Sequence, residues 1–420
     1  MNKINLIDKL QTSSKAFSLR GFHPYLFFLL CSIVFLLNPF MGALFGVLSF
    51  TQLKRSLFLI FIPALLGLIL ASQVSTGSDT TDIYRYFIKF SKLNDYDILK
   101  NLSMSRFVEE SRIFLYFSYL IKEVSSVGGV IYLWMTMPFC LIFLMIKSTS
   151  KNNVKMILVM LIVQFIGIMN FPEMGEWQKQ NNAVAILFFA MMLIQNKSKP
   201  GWGFLTLAFA FHYSMLPLLP LVIFSFLTKD KKAYIISLGF AVLLSFWDFN
   251  QVIKSGLCSS FELLPKFGCA RLDKYSNFQN WKLTAKQHLS YFLLLIAIFF
   301  PSIVRIFKNK ASLIERFGFL YLLFLIANLS NAHNFIRFIW SAFPVGAVGL
   351  IYFFKENKFS YRRQVFAVVA LLFIGHNIAS LYLRTHRPTY QSEYAGGKLT
   401  NLFTYNIFDY WKLVEGPKKK

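Results

Sequence analysis

Long apolar blocks, many of about 15 to 20 residues, recur along nearly the whole chain, separated by short stretches rich in lysine and arginine. Helices of that length and character cross a bilayer, so the pattern predicts an all-α, polytopic integral membrane protein. With the N-terminus inside, spans are expected near 22–37, 40–53, 56–72, 127–146, 156–171, 180–195, 233–249, 289–304, 313–329, 336–354 and 364–383. The block at 203–227 does not fit one crossing, because basic clusters flank both of its ends. Its middle reads Phe211-His212-Tyr213-Ser214-Met215-Leu216-Pro217, with Pro220 beyond. A hairpin of two half-helices meeting at His212 satisfies both ends. Such broken helices need protein or a watery cavity over the bared backbone. Segment 106–124 is amphipathic, with Glu109, Glu110, Arg112, Lys122 and Glu123. It is expected either to lie in the outer interface or to form a short re-entrant piece. The expected total is about 11 to 14 transmembrane helices in one transmembrane domain, 1–420.

Composition strengthens this reading. Hydrophobic residues make up 56% of the 420, aromatics 18%, and charged residues only 15%. A soluble domain of this size has no use for so much apolar surface. The first apolar block follows Lys3, Lys9, Lys15 and Arg20 with no small-residue cleavage site after it, so it is read as a retained span. The net charge of +25 would suggest nucleic acid in a soluble protein. Here many of the cations sit in short loops: Lys54-Arg55, 147–155, Lys197 and Lys199, 229–232, 305–310 and 355–363. The positive-inside rule and anionic lipid headgroups account for them, and no nucleic-acid partner is expected.

That topology gathers polar segments on one side, in outer-face loops near 73–111, 171–179, 250–288 and 330–335. The first holds Gly77-Ser78-Asp79-Thr80-Thr81-Asp82-Ile83-Tyr84-Arg85-Tyr86, directly after an apolar span. Charge is costly near lipid, so a cluster there is a candidate site. Asp79 and Asp82 can equally cap and charge a helix starting near Thr80, and Arg85 and the tyrosines can be interfacial anchors. The second runs from Asn170 to Asn182 and carries Glu173, Glu176, Lys179, Gln180, Asn181 and Asn182. Unpaired amides are expensive at membrane depth, so a polar cavity or interhelical bonding must accommodate them. His212 at the inferred break is either a satisfied structural histidine or a catalytic one. The loop at 265–288 includes Lys266, Arg271, Lys274, Lys282, Lys286 and His288 against Asp273. This excess of cations away from the inner face points to an anionic ligand. The last segment runs from Asn328 through His333 to Arg337, and Arg337 needs an anionic partner from protein or ligand. Cys31 and Cys140 lie in apolar spans. Cys258 and Cys269 share the long loop, where a disulfide suits an oxidising compartment and two free thiols are the alternative. There is no nucleotide-binding loop, no Cys/His spacing for zinc and no Gly-x-Ser-x-Gly, so neither metal nor cofactor is expected.

Taken in order, these segments resemble the EpsG-like family of polysaccharide polymerases, a branch of the Wzy-type O-antigen and capsule polymerases. Gly77 to Tyr84 looks like the family's Asp-x-x-x-Tyr-type segment. Val108-Glu109-Glu110-Ser111-Arg112 is similar to an acidic Glu-Pro-type stretch but lacks the proline. Lys179-Gln180 stands where the family has Arg-Gln, and lysine offers a point charge instead of a bidentate fork. Phe211-His212-Tyr213-Ser214 matches a Phe-His-x-Ser element, and Arg337-Phe338 a late Arg-Phe. The resemblance spans roughly 75–340. It implies a GT-C-like glycosyltransferase architecture with broken helices, in the bacterial inner membrane, with the site facing the periplasm or exterior. It implies polymerisation of undecaprenyl-diphosphate-linked oligosaccharide repeat units, with that glycan as donor and acceptor. Membrane lipids and a chain-length regulator protein are the expected partners. Arg85, Tyr86, Lys179, Gln180, Arg271, Lys274, His333 and Arg337 are the expected diphosphate and sugar contacts. Asp79, Asp82, Glu176 or His212 is the expected base. Alternatives are a lipid-linked oligosaccharide flippase, an O-antigen ligase and a membrane acyltransferase. A flippase would show internal repeats, a ligase a larger late loop, and an acyltransferase a strong His/Asp motif.

Overall fold

The computed structural model describes residues 24–53, 55–72, 82–92, 112–151, 178–246, 298–330 and 403–415, with scattered positions in 153–161, 293–296 and 335–351 and at 371 and 375. Among the described residues the chain is all helix, with no strand. The apolar blocks become α1 (Pro24–Leu37), α2 (Pro39–Leu53), a 3₁₀ turn (Ser56–Ile60) leading into α3 (Phe61–Ala71), and α6 (Val127–Ser150). Two amphipathic helices precede α6: α4 (Asp82–Ser91) and α5 (Arg112–Val124). Then come α7 (Gln178–Gln195), α8 (Pro200–Phe211), a 3₁₀ stretch (Tyr213–Leu218), α9 (Leu219–Leu227) and α10 (Lys231–Ser245). The described chain closes with α11 (Ile298–Phe307), α12 (Leu313–Ala327) and α13 (Ile407–Val414). Among the described residues α6 alone is long and apolar enough to cross a membrane by itself; α1, α2, the 56–71 unit, α8, 215–227 and α11 are shorter apolar helices. The spans expected at 156–171, 336–354 and 364–383 fall largely outside the described residues.

Helices α6 and α7 form the frame. Asn182 Nδ2 donates to the Trp134 carbonyl (3.0 Å) and Asn196 Nδ2 to Ser148 Oγ (3.2 Å). The offset of 48 residues is the same at both bonds, so the two helices run parallel. Helix α12 runs antiparallel to α7. Gln195 Oε1 accepts from the Ile314 backbone N–H (3.0 Å), and Phe188 meets Phe317 and Tyr321. At α3 the backbone approaches α6 so closely that a Cβ on Gly67 would overlap Thr136.

The bundle thus has two ends, marked by Lys179 and Gln195 and about 24 Å apart along α7. The block at 203–227 is broken where its sequence suggested. Helix α8 stops at Phe211, His212 is extended (φ −151°, ψ 126°), and α9 begins at Leu219. Trp202 stacks on Phe226 at 5.5 Å, which brings the two outer ends together and makes the segment a hairpin with His212 at its apex.

At the Gln195 end the turns are tightly closed. Ser312 and Glu315 form a capping box, Arg305 Nε donates to Glu315 Oε1 at 2.7 Å, and Arg305 Nη2 donates to the Lys310 carbonyl at 2.7 Å. Arg316 donates to the carbonyls of Ser225 and Ala311. Lys197 (φ 59°) and Asn309 (φ 53°) are left-handed. Their amides bond back three positions and those of the next residues five, the Schellman closure that usually takes glycine. Helix α6 extends to Ser150, past the expected end, and closes on a left-handed Lys151.

Candidate functional site

The Lys179 end is built from aromatic rings. On α4, Tyr86 and Phe90 are four apart, share one face and stack at 5.8 Å. Both meet Phe114 of α5, at 6.0 and 5.8 Å. Phe114 is fully buried against Trp134 of α6 (4.7 Å) and Phe211 of α8 (5.3 Å), and Trp134 meets Phe211 at 5.3 Å. Four helices therefore converge on one cluster. The ammonium of Lys179, in the first turn of α7, lies 5.6 Å from the ring centroids of both Tyr86 and Phe114. A cation over two faces gains about 0.5–2 kcal/mol, more as water is excluded.

Hydrogen bonds fix the cluster. Trp134 Nε1 donates to Ser118 Oγ (2.9 Å), which donates to the Phe114 carbonyl (2.7 Å). Proline 138, inside α6, has no N–H to offer the Trp134 carbonyl four residues back. Asn182 Nδ2 donates to that carbonyl instead. Asn182 is completely buried, and Gln180 and Asn181 nearly so. The amides at the head of α7 are thus reconciled with an apolar bundle, in the case of Asn182 by interhelical bonding.

Three segments distant in sequence meet here. Arg85, exposed, and Tyr86 come from the first polar segment, Lys179 and Gln180 from the second, and half-buried His212 from the hairpin apex beside Phe211. The His212 carbonyl accepts from the Met215 N–H at 3.0 Å and starts the 3₁₀ stretch. Asp82 opens α4, one helical turn before Arg85. Helix α12 delivers the chain to this same end at Asn328. Asp79, Glu176, Arg271, Lys274, His333, Arg337, Cys258 and Cys269 lie outside the described residues. No group of three or more metal-ligating side chains occurs among the described residues.

Sequence reasoning missed Phe114, Ser118 and Trp134, which hold the cluster together. A tryptophan and a proline inside an apolar span carry no local sign of that role; only the pairing of Pro138 with an amide on a neighbouring helix hints at it.

Arranged this way, the end brings two cations and an imidazole to a packed cluster of aromatic rings. No curated protein and no solved structure shows a match to the chain. A family model does, from residue 55 to residue 391, taking in α3 through α12 and every segment that converges at the Lys179 end: the chain belongs to the EpsG family.

Proposed function

We propose that this protein is a polytopic membrane glycosyltransferase that joins undecaprenyl-diphosphate-linked oligosaccharide repeat units into O-antigen, capsule or exopolysaccharide at the outer face of the bacterial inner membrane. Membership of the EpsG family supports a polysaccharide polymerase, and the recurring apolar blocks support a membrane protein. The observation that carries the reading is the convergence of Arg85, Tyr86, Lys179, Gln180 and His212 at one end of the bundle, from three segments spread over 127 residues of chain.

In the proposed reaction the acceptor hydroxyl oxygen bonds to the anomeric carbon of the donor chain. The bond from that carbon to the diphosphate breaks, and its electron pair leaves with the diphosphate on its polyprenyl carrier. The hydroxyl proton passes to a carboxylate or imidazole: Asp79, Asp82, Glu176 or His212. Arg85, Lys179, Arg271, Lys274 and Arg337 stabilise the departing diphosphate, a preorganised set of positive charges aimed where negative charge develops. Tyr86, half-buried beside Lys179, is assigned to the sugar together with Gln180 and His333. Arg85 can grip two phosphate oxygens, whereas Lys179 acts as a point charge held in place by rings.

Purified protein incubated with lipid-linked repeat units should yield a ladder of products on a gel. Asp79→Ala and Arg337→Ala, if normally folded and expressed, should lose the ladder. Full activity in both would end the proposal.

A further inference from the structure

Helix α13 (Ile407–Val414) is distant in sequence from everything it touches. It forms locally: Asn406 Oδ1 accepts from the Asp409 N–H (3.0 Å), and Asp409 Oδ2 accepts from the Asn406 N–H (3.1 Å). An eight-residue helix is marginal alone, so packing must hold it. Tyr410 and Val414 are fully buried. Burial pushes the Tyr410 hydroxyl up to about 12, with Tyr405 adding to the effect. A Cβ on Gly128 would come within 3.1 Å of Val414, and Trp411 meets Tyr132 edge-on at 6.1 Å. Just upstream, the Tyr405 carbonyl accepts from Asn38 Nδ2 (3.3 Å), and Phe403 meets Phe40 at 5.1 Å. The segment 403–415 therefore clasps the first turns of α6 and the turn between α1 and α2.

Its other face is uncovered and mixed: Phe408 stands beside exposed Lys412, one helical turn on, and Glu415. Phe408 is 71% and Phe403 55% exposed. They extend an exposed surface already formed by Leu37 and Met41 at the α1–α2 turn and by Leu26, Leu29, Ile33 and Leu36 along α1. Helix α2 has 15 residues and rises about 22 Å, less than the ~30 Å of a bilayer core. Its turn, and the tail packed on it, therefore come at or near lipid depth. Outward phenylalanines flanked by the exposed charges of Lys412 and Glu415, with Tyr410 and Val414 held on the bundle, suit a short segment lying at the boundary of polar and apolar surroundings.

We propose that residues 403–415 are an interfacial anchor, seated in the headgroup–acyl boundary on the Lys179 side, with the lipid surface as its partner. The inference rests on the membrane reading above. The anchor sets the depth of the α6 N-terminus, and Trp134 lies about 9 Å further along that helix, at six residues of 1.5 Å. Lipid contact at the tail is thereby connected to the aromatic cluster that carries Lys179.

The wild-type full chain can be reconstituted in phosphatidylcholine–phosphatidylglycerol vesicles containing a phospholipid with a diazirine high on its acyl chain. After photolysis, adducts are mapped by mass spectrometry. Residues 403–415 should carry adducts at yields like those of the α1 stripe and severalfold above those of the 197–199 turn. Labelling of α1 without labelling of the tail would overturn the anchor and leave the membrane reading standing. Absence of adducts from both would overturn the two together.

Discussion

Both ends of α7 bring charged side chains into a largely apolar bundle, and they handle them in opposite ways. At the Gln195 end Arg305 meets Glu315 at 2.7 Å, both nearly sealed from solvent, and the turn around them is closed by a capping box and a Schellman motif. Arg305, Glu315 and Arg316 there each have fixed partners in neighbouring segments. At the Lys179 end the ammonium rests against two ring faces, Arg85 is exposed one residue from Tyr86, and His212 interrupts a helix. The first arrangement seals its charges into the turns; the second places positive charge beside aromatic rings and a break in a helix.

Five variants would break or sharpen that contrast. Glu315→Ala should have the largest effect, because it strands Arg305 in the interior. Removing one partner of a buried pair costs about 3–5 kcal/mol, read as a fall in melting temperature in detergent. Replacing both partners by apolar residues, Arg305→Met with Glu315→Leu, should recover much of that loss. Such recovery would mark the pair as structural, whereas a stable double variant without polymerising activity would place function at that end too. Asn182→Ala should come next, at about 1–3 kcal/mol, since it bares the Trp134 carbonyl that Pro138 cannot serve. Its activity should fall more than its stability, as Lys179 stands on the same first turns of α7. Trp134→Phe keeps an aromatic ring and gives up the bond to Ser118, so about 1 kcal/mol should be lost. If its stability matches the wild type, the hydrogen bond is not what fixes the cluster. Lys197→Gln with Lys199→Gln should change stability by no more than about 0.5 kcal/mol, since these exposed lysines face water at the closed end.

The two ends also differ in how far sequence revealed them. The break at His212 was legible because basic residues at both ends of 203–227 forbid a single crossing and Pro217 disfavours an unbroken helix. Lys179 and Tyr86 stood out as polar groups at the margins of apolar blocks, but their contact spans 93 residues and depends on how α4, α5 and α7 pack. The Arg305–Glu315 pair was hidden, because Arg305 sits in a run of cations that the positive-inside rule already explains. The supporting residues Phe114, Ser118 and Trp134 left no trace, since burial and partner choice belong to tertiary structure.

The central claim is that the Lys179 end performs the chemistry and the Gln195 end holds the bundle. The most direct measurement compares Lys179→Ala with Lys199→Ala in reconstituted polymerisation of lipid-linked repeat units, read as ladder formation and initial rate. Loss of one preorganised charge should slow the Lys179 variant about 10²–10³-fold, with no more fall in melting temperature than the loss of a cation–ring contact of about 0.5–2 kcal/mol brings, while the Lys199 variant polymerises like the wild type. An undiminished ladder from Lys179→Ala, or equal losses in both variants, would contradict the account.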